Sequence, residues 1–434
     1  MTSNYDITAI VPLGGGGTRL YPLTVNTPKH LIPIANRALF HAAAEHWASQ
    51  GVKTFIFGVT GFDNRVQSYQ FFGHGGRFKS FAPSGEVDFY YANYEDRDYR
   101  DDKKGSADVF LWSLDKYRGI MGNNHALLIN GDNLSNTSLE DFYESHRRRK
   151  ALLTIAVKGL ELDDPLLRGF GTVAFDDKTM RVSDFVEKSS SPLSRYANTA
   201  ICLFSPEIRE VLRSREVSDG LDEIRKAKGR LDVGNDLIPL LTKLGADVYA
   251  HPLNGSWSDV GTPHSYRTTT NDILHGEYPH IRLGGYERLG NAMVHRTTRK
   301  LMGDKLRRVT FEGKCIVGSN VEIGKNTVIK NSAIGANSYI GNDVIVDGVT
   351  TLFPFARVEN NARLSNCVVG YNTTVGERSS VDAGAVLGDD LYIPADFQIG
   401  VDWRVAKAEY KDRVRGAGYT IVEDIKDLDA FLFK

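Results

Sequence analysis

From Ile7 to about residue 270, apolar runs of strand length alternate with stretches whose apolar positions return every third or fourth residue. Residues 7–13, 52–59, 125–130 and 151–157 read as strands, and residues 39–50, 107–117 and the charged 138–150 as amphipathic helices. This alternation predicts a mostly parallel sheet covered by helices. In such sheets ligands bind outside the carboxyl ends of the strands. Two polar stretches fall there. Four glycines, Gly14, Gly15, Gly16 and Gly17, follow the first strand, and Asn130-Gly131-Asp132-Asn133 closes the run that starts at His125.

The second half keeps a different period. Apolar residues recur at Val317, Ile323 and Ile329, then at Ile334, Ile340, Val346, Leu352, Val358 and Leu364, then at Val369, Val375, Val381 and Leu387. Within each group the step is six, which would spiral side chains around an α-helix. Six is an even number, so short strands can turn all of them inward. Gly318, Gly324, Gly335, Gly341, Gly370 and Gly376 each follow one of these residues, where they suit a corner. Small or β-branched residues sit four positions on, among them Val321, Thr327, Ala333, Thr350 and Ala385. The repeat resembles the hexapeptide pattern of left-handed parallel β-helices, in which three hexapeptides make one triangular coil. Two five-residue steps, Ile329 to Ile334 and Leu364 to Val369, mark corners expected to be tightened. Residues 276–310 show no clear period and read as a connector. Residues 396–434 read as a mixed tail with a helix at 405–414.

Charge and composition narrow the partners. Lysine plus arginine number 53 and aspartate plus glutamate 54. That balance gives no global electrostatic case for nucleic acid or an anionic membrane, so neither is expected as a partner. No run is long and apolar enough to span a bilayer, and the N-terminal residues lack a basic start and an apolar signal core. Cys202, Cys315 and Cys367 are widely spaced and odd in number, which suggests buried thiols in a reducing, cytoplasmic setting.

The glycine run has a mechanical meaning. Without side chains, backbone N–H groups approach a ligand closely and point together, which makes an anion cradle. Arg19 and Lys29 add positive charge, so the ligand should be polyanionic. The loop ends in Gly-Thr-Arg rather than the Gly-Lys-Ser/Thr of a Walker motif. A dinucleotide G-x-G-x-x-G would need glycine at Arg19 or Leu20, so an NAD-linked enzyme is not indicated.

"LGGGGTRLYPLT…PK" resembles the signature of the sugar-1-phosphate nucleotidylyltransferases, or NDP-sugar pyrophosphorylases. Further similar segments follow in order: "GSAD" at 105–108, "NGDN" with Asp132, "GFGTV" with Gly171, "FVEK" with Glu187 and Lys188, "LDVGNDLIP" at 231–239 and "WSDVGTP" with Asp259. The resemblance covers nearly the whole chain, and a C-terminal left-handed β-helix belongs to several branches. It implies an α/β fold: a Rossmann-like, mostly parallel nucleotidyltransferase domain over 1–275, then the connector at 276–310, a β-helix over 311–395 and the tail.

The implied reaction is attack by a sugar-1-phosphate oxygen on the α-phosphorus of a nucleoside triphosphate, with pyrophosphate leaving. By the resemblance, Arg19, Lys29 and Asp132 are catalytic. Leu13, Gly14, Gly15, Gly16, Gly17, Thr18, Gly105 and Ser106 bind the nucleotide. Gly171, Glu187, Lys188, Asn198 and Thr199 bind the sugar phosphate, and Asp132 and Asp259 hold Mg²⁺. Taken singly, each reads as structural: Asp132 as a turn residue, Asp259 as a cap, Glu187 and Lys188 as a surface pair. The ordered set carries the assignment.

Several positions depart from the family. Leu13 stands where alanine is frequent beside the nucleobase, and His30 where proline or glutamine is common. Ala200 and Cys202 replace a more usual glycine and tyrosine, and "EKSSSP" carries extra serines. "VGNDLIP" is like the adenylyl branch, whereas "GDN" and "LYPLT…PKHLIPI" are like the thymidylyl branch, so nucleotide and sugar stay open. No histidine lies beyond His295, so the repeats lack the usual base for acetyl transfer. The β-helix is expected to build a homo-oligomer, a dimer or tetramer. The rival reading is a non-catalytic regulatory or scaffold paralogue of the same build.

Overall fold

The computed structural model describes residues 5–93, 105–425 and 429–434. Packing divides the chain into two compact units, one holding residues up to Gly15 with Ala43–Asp259, the other Gly16–Ala42 with Val260–Lys434. This division does not follow the sequence division at 275.

The first unit is a sheet covered by helices. Its strands are β1 (Ile7–Leu13), β2 (Thr54–Val59), β3 (Asp88–Asn93), β4 (His125–Leu128), β5 (Asn133–Ser135), β6 (Leu153–Gly159), β7 (Thr172–Phe175), β8 (Val182–Val186), β9 (Tyr196–Phe204), β10 (Val248–Pro252) and β11 (Trp257–Asp259). Along the sheet the order is β8-β7-β9-β4-β1-β2-β3, with β6 also on β9 and β10 on β6. The β1, β2, β3 and β4 pairs are parallel, while β9 runs antiparallel to β4 and β6. Strands β1 and β2 are almost wholly buried, which fits near-continuous apolar runs covered on both faces.

Two helices bear on the site. α1 (Ser106–Lys116) lies against β2, where a Cβ on Gly58 would collide with Val109. Only glycine admits the helix that closely. α2 (Leu139–Arg149) starts where the Ser138 hydroxyl accepts from the Asp141 N–H, and Arg147, Arg148 and Arg149 occupy its last turn, where positive charge favours the helix dipole.

The second unit is built on a parallel β-helix with three sheets. Val317, Ile334, Leu352, Val369, Leu387 and Val405 stack in one column by register. The inward residues are 0–6% exposed. Burying each such side chain stabilises by about 1.5–3 kcal/mol. Coils containing a five-residue step are one residue shorter than their neighbours, and their tight corners are turned by Asn331 and Asn366 at positive φ.

Three expectations are corrected here. The repeat glycines do not turn the corners. None of Gly318, Gly324, Gly335, Gly341, Gly370 and Gly376 has positive φ, but a Cβ on each would meet the backbone of the next coil at 2.4–2.9 Å. The corners are turned two residues later, by Asn320, Asn326, Asn337, Asp343, Asn372 and others in the left-handed region, which asparagine and aspartate tolerate best. The segment read as a connector contains a hairpin, Tyr286–Leu289 with Ala292–His295, and a helix, Arg296–Met302. Its Ala292 and Val294 are fully buried and pair with Cys315 and Val317, so a β-helix sheet already begins there. The helix expected at 405–414 starts as a strand, Arg404–Lys407, and is α-helical only over Lys411–Gly416. Ile393, Ile399 and Val405 keep the step of six, one on each of the three sheets, and their inward packing overrides local helix preference.

All three cysteines are buried free thiols, and burial pushes Cys202 and Cys367 up to about 12. Among the described residues no helix is long and apolar enough to cross a membrane.

Candidate active site

Strand β1 has its chain successor β2 on one side and β4 on the other, so the strand order reverses around its carboxyl end. Crevices form at such switch points. Leu13 is buried there, and Gly14 and Gly15 follow, both exposed. A Cβ on Gly14 would lie 2.6 Å from Thr60 Oγ1, just past the end of β2, and Gly15 has φ +93°. These two glycines therefore have separate reasons, one steric and one conformational.

Gly105 and Ser106 open α1. The buried Asp108 carboxylate accepts from the Gly105 N–H at 3.0 Å and the Leu231 N–H at 2.8 Å, and pairs with Arg225 at 3.2 Å. The Val233 N–H donates to Ser106 Oγ at 3.0 Å. The "GSAD" and "LDVGND" segments, distant in sequence, form one knot. A Cβ on Gly105 would collide with the Leu231 carbonyl, so the approach requires glycine. Asp236 completes the knot, accepting from Lys228 Nζ at 2.6 Å and the Asp232 N–H at 2.7 Å.

Asp132 sits in the turn before β5, and Asp259 ends β11. β5 and β11 pair antiparallel in the register Asn133↔Asp259, so Asp132, in the turn, directly precedes the residue paired with Asp259. The pairing brings the turn that holds Asp132 to the end of β11. Two carboxylates suit Mg²⁺, which keeps several waters and takes phosphate oxygens as further ligands.

The predicted sugar-phosphate residues also converge. The Glu187 carboxylate lies between two glycines. A Cβ on Gly171 would collide with its Oε2, and one on Gly234 would lie 2.6 Å from the same atom. Burial raises the Glu187 carboxyl above the ordinary range, Lys188 at 3.7 Å opposes the rise and Asp232 adds to it. Lys188 is held at φ +49°, with its N–H on the Phe170 carbonyl. The Asn198 N–H donates to the Gly171 carbonyl at 2.7 Å. Between Asn198 and Cys202 strand β9 bulges away from β6, and Ala200 adopts φ +57°. The Thr199 carbonyl in that bulge accepts from Asn133 Nδ2 and Trp257 Nε1, while the Trp257 ring packs edge-on to Phe170. Sequence reasoning missed Gly234, Asn133 and Trp257, although each lies inside a motif already quoted.

The rest of the glycine loop belongs to the second unit. Gly17 takes φ +57°, and its carbonyl accepts from Thr24 Oγ1 at 2.8 Å. Thr18–Leu20 form a single 3₁₀ turn with Leu20 buried and Arg19 exposed. Lys29 starts a second turn, Lys29–Leu31, and a Cβ on Gly17 would stand 3.3 Å from its Cβ. His30 is buried beside it.

The model of the "Nucleotidyl transferase" family matches residues 8–276. The chain belongs to that family. A second model, described as the "EIF2B subunit epsilon LbH domain", matches residues 304–399, so the repeat is a left-handed β-helix. This nucleotidyltransferase is 24% identical over 391 residues to mannose-1-phosphate guanylyltransferase 1 of Arabidopsis thaliana, covering 89% of this chain and 92% of that one. It is 26% identical to the UTP–glucose-1-phosphate uridylyltransferase of Synechocystis, with 83% and 86% covered. It is also 26% identical to a mannose-1-phosphate guanylyltransferase of Mycobacterium tuberculosis, with 80% and 82% covered. A Bacillus anthracis crystal structure named as a glucose-1-phosphate thymidylyltransferase matches with a TM-score of 0.50 at 20% identity, over 64% of this chain and 97% of that one; this is a likeness of fold.

Proposed function

We propose that this nucleotidyltransferase makes an NDP-sugar and pyrophosphate from a nucleoside triphosphate and a hexose 1-phosphate such as glucose 1-phosphate. The observation that carries the reading is the β5–β11 register, in which Asn133, the residue after Asp132, pairs with Asp259 and donates to the Thr199 carbonyl. An oxygen of the sugar phosphate attacks the α-phosphorus, the bridging bond to the β-phosphate breaks, and pyrophosphate leaves in line. No protein nucleophile is needed, so positioning and charge neutralisation do the catalysis. The glycine run, with Leu13, Thr18, Arg19 and Lys29, holds the triphosphate and the departing pyrophosphate. Gly105 and Ser106 flank the base. Glu187, Gly171, Asn198 and Thr199 grip sugar hydroxyls, and Lys188 takes the sugar phosphate. Asp132 and Asp259 hold Mg²⁺, which when bound supplies positive charge to the phosphate oxygens.

The relatives named for mannose 1-phosphate and for glucose 1-phosphate both support the hexose class, and their nucleotides differ. The deciding assay is pyrophosphate release with Mg²⁺ across the four NTPs and a panel of hexose 1-phosphates. Turnover on one pair supports the reading. Silence across the panel favours a scaffold paralogue, a role the epsilon-type β-helix match makes worth testing. The unpaired buried thiols support a reducing, cytoplasmic setting. Assembly as a dimer or tetramer through the β-helix is supported by its exposed Phe355 and Tyr392, and light scattering of the full chain tests it.

A further inference from the structure

The Arg19 turn rests on the last forty residues of the chain. After the final coil the chain forms the helix Lys411–Gly416, then strands Ile421–Ile425 and Ala430–Phe433, the latter antiparallel to Arg404–Lys407. Tyr21, Val25, Ala406, Val414, Phe431 and Phe433 form one buried cluster, so the segment after the glycine run is glued to this end piece by apolar contact. Polar contacts then fix its backbone. Tyr419 Oη donates to the Thr18 carbonyl at 2.8 Å, and Arg404 Nη1 donates to Tyr419 Oη at 2.8 Å and reaches the Arg19 carbonyl at 3.5 Å. Arg413 Nη1 donates to the Val25 carbonyl at 3.0 Å, and Asn26 Nδ2 to Tyr410 Oη at 2.6 Å.

Tyr419 is itself held on every side. Its N–H donates to the Val414 carbonyl, and Thr420 and Lys434 exchange backbone bonds at 3.0 Å. Its ring meets Phe433 edge-on at 5.2 Å, stacks on Tyr21 at 6.3 Å and lies under the Arg404 guanidinium at 5.2 Å. The carbonyls of Gly17, Thr18 and Arg19 are thus each taken by a side chain, Thr24, Tyr419 and Arg404 in turn. The Arg19 side chain is left exposed on a backbone that cannot rotate freely.

We propose that Tyr419, oriented by Arg404, is a positioning residue for Arg19, and that the C-terminal piece sets the aim of the guanidinium on the phosphates. This rests on the catalytic role proposed for Arg19. A group that must meet charge on a leaving pyrophosphate gains most from being held in place beforehand.

The test is Tyr419→Phe, which removes one hydroxyl and keeps the ring stack. The expected result is a kcat lower by about tenfold, with the KM for hexose 1-phosphate unchanged and the KM for pyrophosphate raised in the reverse reaction. Hydrogen exchange in residues 16–31 should rise, with an unchanged melting temperature. Wild-type kcat and pyrophosphate KM would overturn the proposal. So would a lower melting temperature with normal kcat per folded molecule, or a lower kcat with unchanged exchange. If the wild type is silent on every substrate pair, the functional reading fails instead, and exchange still reports whether Tyr419 holds the turn.

Discussion

Asn133 and Trp257 donate to one acceptor, the carbonyl of Thr199, at 2.7 and 3.2 Å. The two donors lie on the paired strands β5 and β11, Asp132 directly precedes β5 and Asp259 ends β11, and the acceptor lies in the bulge of β9. The proposed metal ligands and sugar contacts are therefore tied by two side-chain bonds.

Removing one donor should show at the sugar. In Asn133→Ala the fold loses a buried bond, at about 1–3 kcal/mol, and the bulge loosens. The KM for hexose 1-phosphate should rise several-fold more than the KM for the NTP. Equal changes in both would mean that the bulge does not contact the sugar.

Asp132→Asn keeps shape and removes charge. Turnover should fall by at least about a hundredfold, with circular dichroism and melting temperature as in the wild type. Retained activity breaks the assignment of Asp132 to Mg²⁺.

Ala200 occupies a backbone conformation that costs an L-residue about 1–2 kcal/mol. Glycine avoids that strain at an entropy cost of about 0.5–1 kcal/mol. Ala200→Gly should therefore raise stability by roughly 0.5–1 kcal/mol, read from the urea midpoint. A less stable variant would show that the alanine methyl packs in a way that outweighs the strain.

Two buried histidines make stability depend on pH. Burial lowers His46 to about 4, against a bond to the Thr137 carbonyl, and lowers His146 to about 3, with His125 adding to the effect. Both ionise near 6.5 when unfolded, so between about 6.5 and 4 the unfolded chain binds more protons. Their contribution is complete above pH 6.5 and is lost as pH falls, with a slope of up to about 1.4 kcal/mol per pH unit for each histidine. Urea midpoints from pH 7.5 to 4.5 should show the slope, and His46→Gln and His146→Gln should each flatten it. An unflattened slope would place the proton uptake elsewhere.

The parts legible from sequence were those with a local period or a contiguous motif. The step of six from Val317 to Leu387 needed only counting, and the strand–helix rhythm placed β1, β2, β4 and β6. The true reason for the repeat glycines was hidden, because a glycine required by close stacking and one required by a turn look alike as letters. Ala292 and Val294 were too short a run to declare a strand, and only pairing with Cys315 and Val317 makes them one. Asn133, Trp257 and Gly234 sit inside recognised motifs, yet their partners lie in other segments. The bond from Tyr419 to Thr18 has no local signature at all.

Those two residues are 401 positions apart. A contact that long is among the last to form, because the loop between must be closed first. During synthesis Thr18 emerges 401 residues before its partner Tyr419. A chain cut before Tyr419 would have the whole parallel sheet and nearly every coil, yet lack the hydroxyl on the Thr18 carbonyl. Any triphosphate turnover that depends on Arg19 would then require a segment made long after the glycine run itself.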